Sequence, residues 1–184
     1  MIILGISGSP RIDGNTDLIL KEALTAAKSS GAGIKLIRLS DYNLAPCNAC
    51  MACFANGKCA INDDWKKLYD EITEADGIIL ASPSYFQGVT AQTKIFIDRI
   101  GFLALARKRM EFADKVGGAI AVARRSGVSS TCNQIVTFLT AIGVGIPSGG
   151  RVYAIAREKG EVMNDQEGVE TARKLGDSIV KALQ

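Results

Sequence analysis

Four of the five cysteines fall within thirteen residues, in the run CNACMACFANGKC from Cys47 to Cys59. The spacing is Cys47-x2-Cys50-x2-Cys53-x5-Cys59. Thiols set this closely serve a disulfide framework, a zinc site, a redox dithiol or an iron–sulfur cluster. The chain has no histidine. A Ser-His-Asp triad, a Cys-His pair and any His-ligated metal are thereby excluded. Chemistry must come from a cofactor, thiols, carboxylates, Lys, Tyr or the backbone.

The spacing separates the four uses. Zinc sites pair their cysteines across a longer arm or mix in histidine, and neither occurs here. A redox dithiol needs one Cys-x-x-Cys and leaves two thiols without a purpose. Three cysteines at x2, x2 spacing match the ferredoxin-type run that grips an iron–sulfur cluster. Asn56-Gly57 supplies a turn that returns Cys59 toward the other three. Zinc, and a metal-free redox or merely buried set, stand as the alternatives. Cys132 lies in a predicted helix and reads as a small buried hydrophobe.

A second stretch with chemical content is SGSPRIDGNT, Ser7 to Thr16. It joins an apolar strand to a helix start, where free backbone N–H groups attract an anion. Ser7, Ser9 and Thr16 offer hydroxyls, Asn15 an amide and Arg11 a positive charge. The ending Gly-Asn-Thr is not the Gly-Lys-Ser/Thr of a nucleoside triphosphate loop, and Gly5-x-x-Gly8 is not a dinucleotide fingerprint. Gly5-Ile-Ser-Gly-Ser9 is not a nucleophile elbow, and no histidine could activate its serine. A phosphate monoester held by hydroxyls and backbone fits. An ordinary tight turn with an Asn or Thr cap is the competing reading.

These stretches need elements to place them. Short apolar runs at Met1–Ile6, Gly77–Ser82 and Val116–Ala123 read as strands, as do Ile34–Leu39 and Arg151–Ala156. Helical spacing covers Asn15–Ser30, with Leu18, Ala23, Ala26 and Ala27 sharing a face. Further helices are expected at Asp63–Glu74, Thr90–Arg107, Gly127–Gly143 and Asp165–Leu183. Asp63 and Asp64 fall in the first turn of theirs, where the helix dipole favours acids. Thr90, Asp98 and Arg99 read as helix capping and a surface ion pair. Strand and helix alternate, which predicts an α/β doubly wound parallel sheet. In such a sheet ligands bind beyond the C-terminal strand ends. The Ser-rich loop, the cysteines, PSYFQG and RRSGVSS follow the first four strands in turn.

GSPRIDGNT together with PSYFQGVTAQTKIFIDR (Pro83–Arg99) resembles the FMN-binding flavoproteins of the NADPH-dependent FMN reductase type. The resemblance runs from residue 1 to about 130. It implies a flavodoxin-like fold of strand order 2-1-3-4-5, forming one FMN-binding domain over residues 1–184 with a cysteine-rich insertion at about 46–60. It implies that Ser7, Ser9, Arg11, Asn15 and Thr16 hold the FMN phosphate. It sets Pro83, Ser84, Tyr85, Phe86, Gln87 and Gly88 against the flavin ring, and a weaker match at Ala123–Val128 adds Arg124. The physical chemistry agrees, since a flavin ring wants an aromatic face and polar partners at its edge. Plain loop packing of Tyr85 and Phe86 is the alternative. The cysteine run matches the compact motif of the iron–sulfur flavoproteins, a branch of that family. That likeness implies a [4Fe-4S] cluster on Cys47, Cys50, Cys53 and Cys59. It also implies a homodimer or homotetramer.

Composition is compatible with all of this. The chain has 184 residues, is 47% hydrophobic and 22% charged, and carries a formal net charge of +3. Lys and Arg are scattered, without the basic stripe of a nucleic-acid binder. No apolar run reaches the ~18 residues of a membrane span, and the N-terminus lacks a basic signal-peptide region. A cytoplasmic location is expected, where thiols stay reduced. The expected function is electron transfer among the cluster, FMN and a partner such as ferredoxin, or a small oxidant. An NAD(P)H-dependent FMN or quinone reductase without a cluster is the second reading, and a flavin-binding redox sensor the third.

Overall fold

The computed structural model describes residues 1–108 and 111–184. Five parallel strands form one sheet in the order β2-β1-β3-β4-β5. They are β1 (Ile2–Ser7), β2 (Gly33–Arg38), β3 (Gly77–Pro83), β4 (Val116–Ala123) and β5 (Arg151–Ile155). The doubly wound sheet is the one that the alternation of strand and helix predicts, and its order is the one that the resemblance implies. The interior strands β1, β3 and β4 are buried along nearly their whole length. That explains their unbroken apolar composition, because both faces are covered. The edge strand β2 is exposed over its first three residues and mixes Ile and Leu with Lys and Arg.

Five of the six α-helices among the described residues cover the two faces. α1 (Asn15–Ser29) and α6 (Gln166–Ala182) lie on one. There Ile19, Leu20, Ala23, Leu24 and Ala27 of α1 meet Ile3, Ile79 and Ile120 of the sheet. The buried stripe of α1 is rotated from the expected one, since Leu18 and Ala26 are only partly covered. The two helices approach so closely that a Cβ on Gly176 would stand 2.1 Å from the Ala23 carbonyl. α3 (Trp65–Glu74), α4 (Ala91–Ala106) and α5 (Val128–Ala141) cover the other face. Leu68, Ile72, Phe96, Ile100, Leu103, Ile135 and Leu139 pack there on Leu4, Ile6, Ile78 and Leu80. Cys132 is fully buried in this layer, and burial pushes its thiol up to about 11, as expected of an inert small hydrophobe. No helix among the described residues is long and apolar enough to cross a membrane.

Two helix starts follow their sequence signals. Thr90 caps α4 by accepting from the Thr93 amide, and Asp165 caps α6 by accepting from the Gly168 amide. The start of α3 differs from expectation. The helix begins at Trp65, with Asp64 at the capping position and Asp63 outside it. Both carboxylates instead close the base of the cysteine segment. Asp64 accepts from the Asn43 amide at 2.9 Å, and Asp63 accepts from the Ala45 amide at 2.9 Å. Arg99 of α4 completes this clasp. Its NH1 and NH2 reach Asp63 at 2.7 and 2.9 Å, and NH1 also donates to the Ala45 carbonyl at 2.6 Å. The pair is not on the surface: the Arg99 and Asp63 side chains are 1% and 4% exposed. Burial works against the Asp63 carboxylate, but Arg99 and two backbone amides outweigh it and hold its pKa below the usual value. The surface ion pair of α4 is Lys94 with Asp98.

Candidate functional site

The clasp presents a loop that runs from Ala45 to Asp63 and carries the four cysteines. Its backbone is tightly bent. Ala49 and Met51 hold left-handed conformations at φ 55° and 58°, each costing about 1–3 kcal/mol in a non-glycine residue. Met51 opens a five-residue helix, α2 (Ala52–Asn56), which Gly57 ends at φ 72°. Sequence periodicity cannot show a helix this short. The Asn56-Gly57 turn returns the chain as expected: the Gly57 amide donates to the Cys53 carbonyl and the Lys58 amide to the Asn56 side chain. Arg107 of α4 pins the turn by donating to the Gly57 carbonyl at 3.0 Å.

Cys47, Cys50, Cys53 and Cys59 all line one small cavity, backed by Arg99, Phe102 and Leu103 of α4. Cys50 is exposed and the other three are partly buried. Burial raises the Cys53 thiol; amides of its own turn oppose the rise, and Cys59 and Cys47 add to it. Among the described residues no three His, Cys, Asp or Glu side chains converge as a single metal ion requires. The donor set fits an iron–sulfur cluster by its chemistry, with four thiols, apolar walls and a buried cation. The cavity that they line together with Asn48, Ile61 and the α4 side chains has a volume of about 20 Å³, room for about one water.

A second hollow lies at the C-terminal ends of β1, β3, β4 and β5. Its volume is about 230 Å³, and Ser9, Arg11, Asn15, Thr16, Pro83, Ser84, Tyr85 and Arg124 line it. Eight of the expected flavin-site residues thus meet in one place. Gly14 occupies the capping position of α1 and no side chain caps the helix. The first amides of α1 therefore remain available to an anion. Ser84 contributes a buried hydroxyl that has no partner among the described residues. These features fit a phosphorylated flavin: a ready anion cradle, an aromatic wall in Tyr85 and an unspent hydroxyl.

Ser7, Phe86, Gln87 and Gly88 stand outside that wall. The Ser7 hydroxyl is fully buried and donates to Asp17. Phe86 and Gln87 form the tip of a two-residue hairpin with φ of 48° and 69°, paired through Tyr85 and Gly88. Such primed turns favour Asn and Gly. Here α5 holds the strained tip: Ser130 donates to the Gln87 carbonyl, and Gln134 accepts from the Val89 amide. Phe86 projects fully into solvent. Asn15 lines the hollow, but both ends of its amide are engaged by the turn after β5, with Glu158 accepting and Gly160 donating, each at 2.8 Å.

Several residues at these sites carry no motif. Ala156 and Arg157 follow β5 and line the flavin hollow. Arg124, Arg125 and Arg157 form an adjoining basic hollow. The only available signal was position, just past a strand's C-terminal end. Asp17 lies beneath the phosphate loop with no solvent exposure, accepting from Ser7, the Asp13 amide and Arg38 Nε. Arg38→Met leaves that carboxylate buried without its cation. The expected cost is about 3–5 kcal/mol of unfolding free energy, measured by urea denaturation.

With the geometry in place, the chain can be set beside known proteins. The model of the NADPH-dependent FMN reductase family matches residues 1–158. The chain is 40% identical to an iron–sulfur flavoprotein of Methanocaldococcus jannaschii, over 100% of this chain and 98% of that one. The chain belongs to the NADPH-dependent FMN reductase family, in its iron–sulfur flavoprotein branch. An iron–sulfur flavoprotein of Methanosarcina thermophila is 36% identical over 97% of this chain and 95% of the relative. Among solved structures, a flavodoxin from the domain Archaea superposes with a TM-score of 0.67 at 15% identity, covering 100% of this chain and 99% of that one. At that identity the likeness carries the flavodoxin-like fold alone. Membership in the FMN reductase family makes the protein a flavin oxidoreductase.

Proposed function

We propose that the protein is an electron-transfer flavoprotein that holds FMN at the strand ends and a [4Fe-4S] cluster on Cys47, Cys50, Cys53 and Cys59. The observation that carries this reading is the presence, in one chain, of a four-thiol cavity beside a hydroxyl-lined anion cradle. When bound, the two groups supply electron exchange, which the side chains have only to house and position. The first amides of α1, the Ser9 hydroxyl and Arg11 receive the phosphate. Tyr85 packs on the ring face, and the Ser84 hydroxyl meets a polar ring edge. The cysteine loop keeps its thiols on the apolar side of α4, where Phe102 and Leu103 exclude water.

The partner in this reading is a one-electron carrier of ferredoxin type, drawn by the unpaired Arg124, Arg125 and Arg157. The apolar groove between α4 and α5, lined by Ile97, Phe102, Leu105 and Phe138, receives a second copy of the chain. The family match supports one further reading, an NAD(P)H-dependent reductase whose cysteines bind no cluster. Anaerobic absorption spectra separate the two. A reduced ferredoxin-type carrier is expected to bleach both the flavin bands and a broad iron–sulfur shoulder. A sample without that shoulder whose flavin is rapidly bleached by NADPH overturns the cluster reading.

A further inference from the structure

The guanidinium of Arg99 is buried, and one of its donors is unspent. Residue Arg99 is 2% exposed. Its NH1 and NH2 are taken by Asp63 and the Ala45 carbonyl. Its Nε has no hydrogen-bond partner among the described residues. Buried polar groups are paired in the great majority of cases, and leaving one unpaired costs about 1–3 kcal/mol. The same side chain forms part of the wall of the four-cysteine cavity. Cys59 lines the same cavity; burial opposes the Arg99 charge, and Asp63 and Cys59 together more than restore it.

A clasp alone does not account for this arrangement. Closing the loop needs only the two-pronged grip on Asp63 and Ala45. Replacing both partners of a buried ion pair by apolar residues is often neutral or stabilising, so stability alone does not explain why charges stand here. A guanidinium cannot shed its proton in a protein, so the cavity wall carries a permanent positive charge. Among the described residues lining that cavity, it is the one cation.

We infer that Arg99 is a potential-setting residue of the cysteine site. Its Nε–H donates to the sulfur held at Cys59, and its charge, tethered by Asp63, offsets the negative charge of the thiolates. Hydrogen bonds to sulfur and local net charge are two of the terms that set an iron–sulfur potential. One-electron reduction adds one negative charge to the site, which a buried cation favours. The inference rests on the cluster reading given above.

The pair gives the inference a test of sign. Arg99→Gln removes the cation, whereas Asp63→Asn leaves it uncompensated. The holoprotein and both variants are titrated anaerobically with dithionite and followed by electron paramagnetic resonance, alongside iron content and circular dichroism. For Arg99→Gln the reduced-to-oxidised ratio at the wild-type midpoint is expected to fall about tenfold, or ~59 mV for a one-electron couple. For Asp63→Asn it is expected to rise. A purely structural clasp moves both midpoints the same way or neither, and that result overturns the inference. If Arg99→Gln holds no iron, Asp63→Asn decides alone: a rise supports the inference, while a fall or no change overturns it. Loss of iron from both variants assigns the pair to structure only and overturns it too. Wild-type protein without iron defeats the cluster reading itself, a result distinct from all of these.

Discussion

Replacing Cys50 or Cys53 by serine is expected to strip iron from the protein and leave FMN bound. The two cavities share no lining residue. The cysteine wall uses positions 99, 102 and 103 of α4, while the flavin loop touches that helix at its first turn, through Thr90 and Thr93. At 1.5 Å per residue these stations are about 9–20 Å apart along the helix axis. Sites so separated, with no common partner, respond independently. A serine hydroxyl is a poor substitute for a thiolate, so iron should fall to background in either variant. FMN affinity should move by less than about threefold, under 1 kcal/mol. Iron analysis and flavin fluorescence titration on the same samples measure both. Iron that survives in both variants would show that the ligand set is wrong.

The converse perturbation is Gly8→Ala. Gly8 sits where the loop after β1 crosses the start of α4. Its amide donates to the Ala81 carbonyl at 2.7 Å, and its carbonyl accepts from the Thr90 hydroxyl at 2.7 Å. Thr90 and Thr93 bond each other at 2.9 Å, and the Thr90 amide donates to Ser82 at 3.1 Å. A Cβ on Gly8 would stand 1.8 Å from the Thr93 hydroxyl and 3.2 Å from the Ala81 carbonyl. Neither neighbour is the free end of a long side chain, so the loop itself must move. Overpacking of this kind costs about 1–3 kcal/mol. The displaced loop is the one that carries Ser9 and Arg11. FMN affinity is therefore expected to drop tenfold or more, about 1.4 kcal/mol, with iron content unchanged. Urea denaturation and flavin titration read the two effects. Unchanged flavin affinity would mean that this loop does not hold the phosphate.

Much of the architecture was legible because it is written in local composition. A strand covered on both faces must be apolar throughout, and IILGIS, GIILASP and VGGAIAVA are. The loop after β1 was legible as the lead into a helix start because small and hydroxyl-bearing residues precede the helical spacing, and it lines the hollow at the strand ends. What escaped depends on partners distant in sequence. Asp63 looked like an acid favouring a helix dipole, since nothing nearby announces Arg99, which lies 36 positions later. Asn15 looked free to meet a phosphate, but its amide is engaged about 145 positions away. Arg157 follows a short strand with no motif, and only the completed sheet brings it to the flavin hollow. The left-handed tip at Phe86 and Gln87 could not be read from residue types that disfavour it; contacts with α5 impose it.

The cysteine cavity shows why the four thiols stand close without folding around one another. A clasp of Asn43, Ala45, Asp63, Asp64 and Arg99 closes the loop at its base, and Arg107 fixes its far turn. The thiols therefore approach α4 as a set. Their position follows from the sheet order as well as from their own spacing.

The most direct test of the account is the cofactor content of protein purified anaerobically, with iron, acid-labile sulfide and FMN measured on one sample. About four iron and four sulfide per FMN are predicted, the content of one cubane cluster beside one flavin. FMN without iron and sulfide would contradict the account.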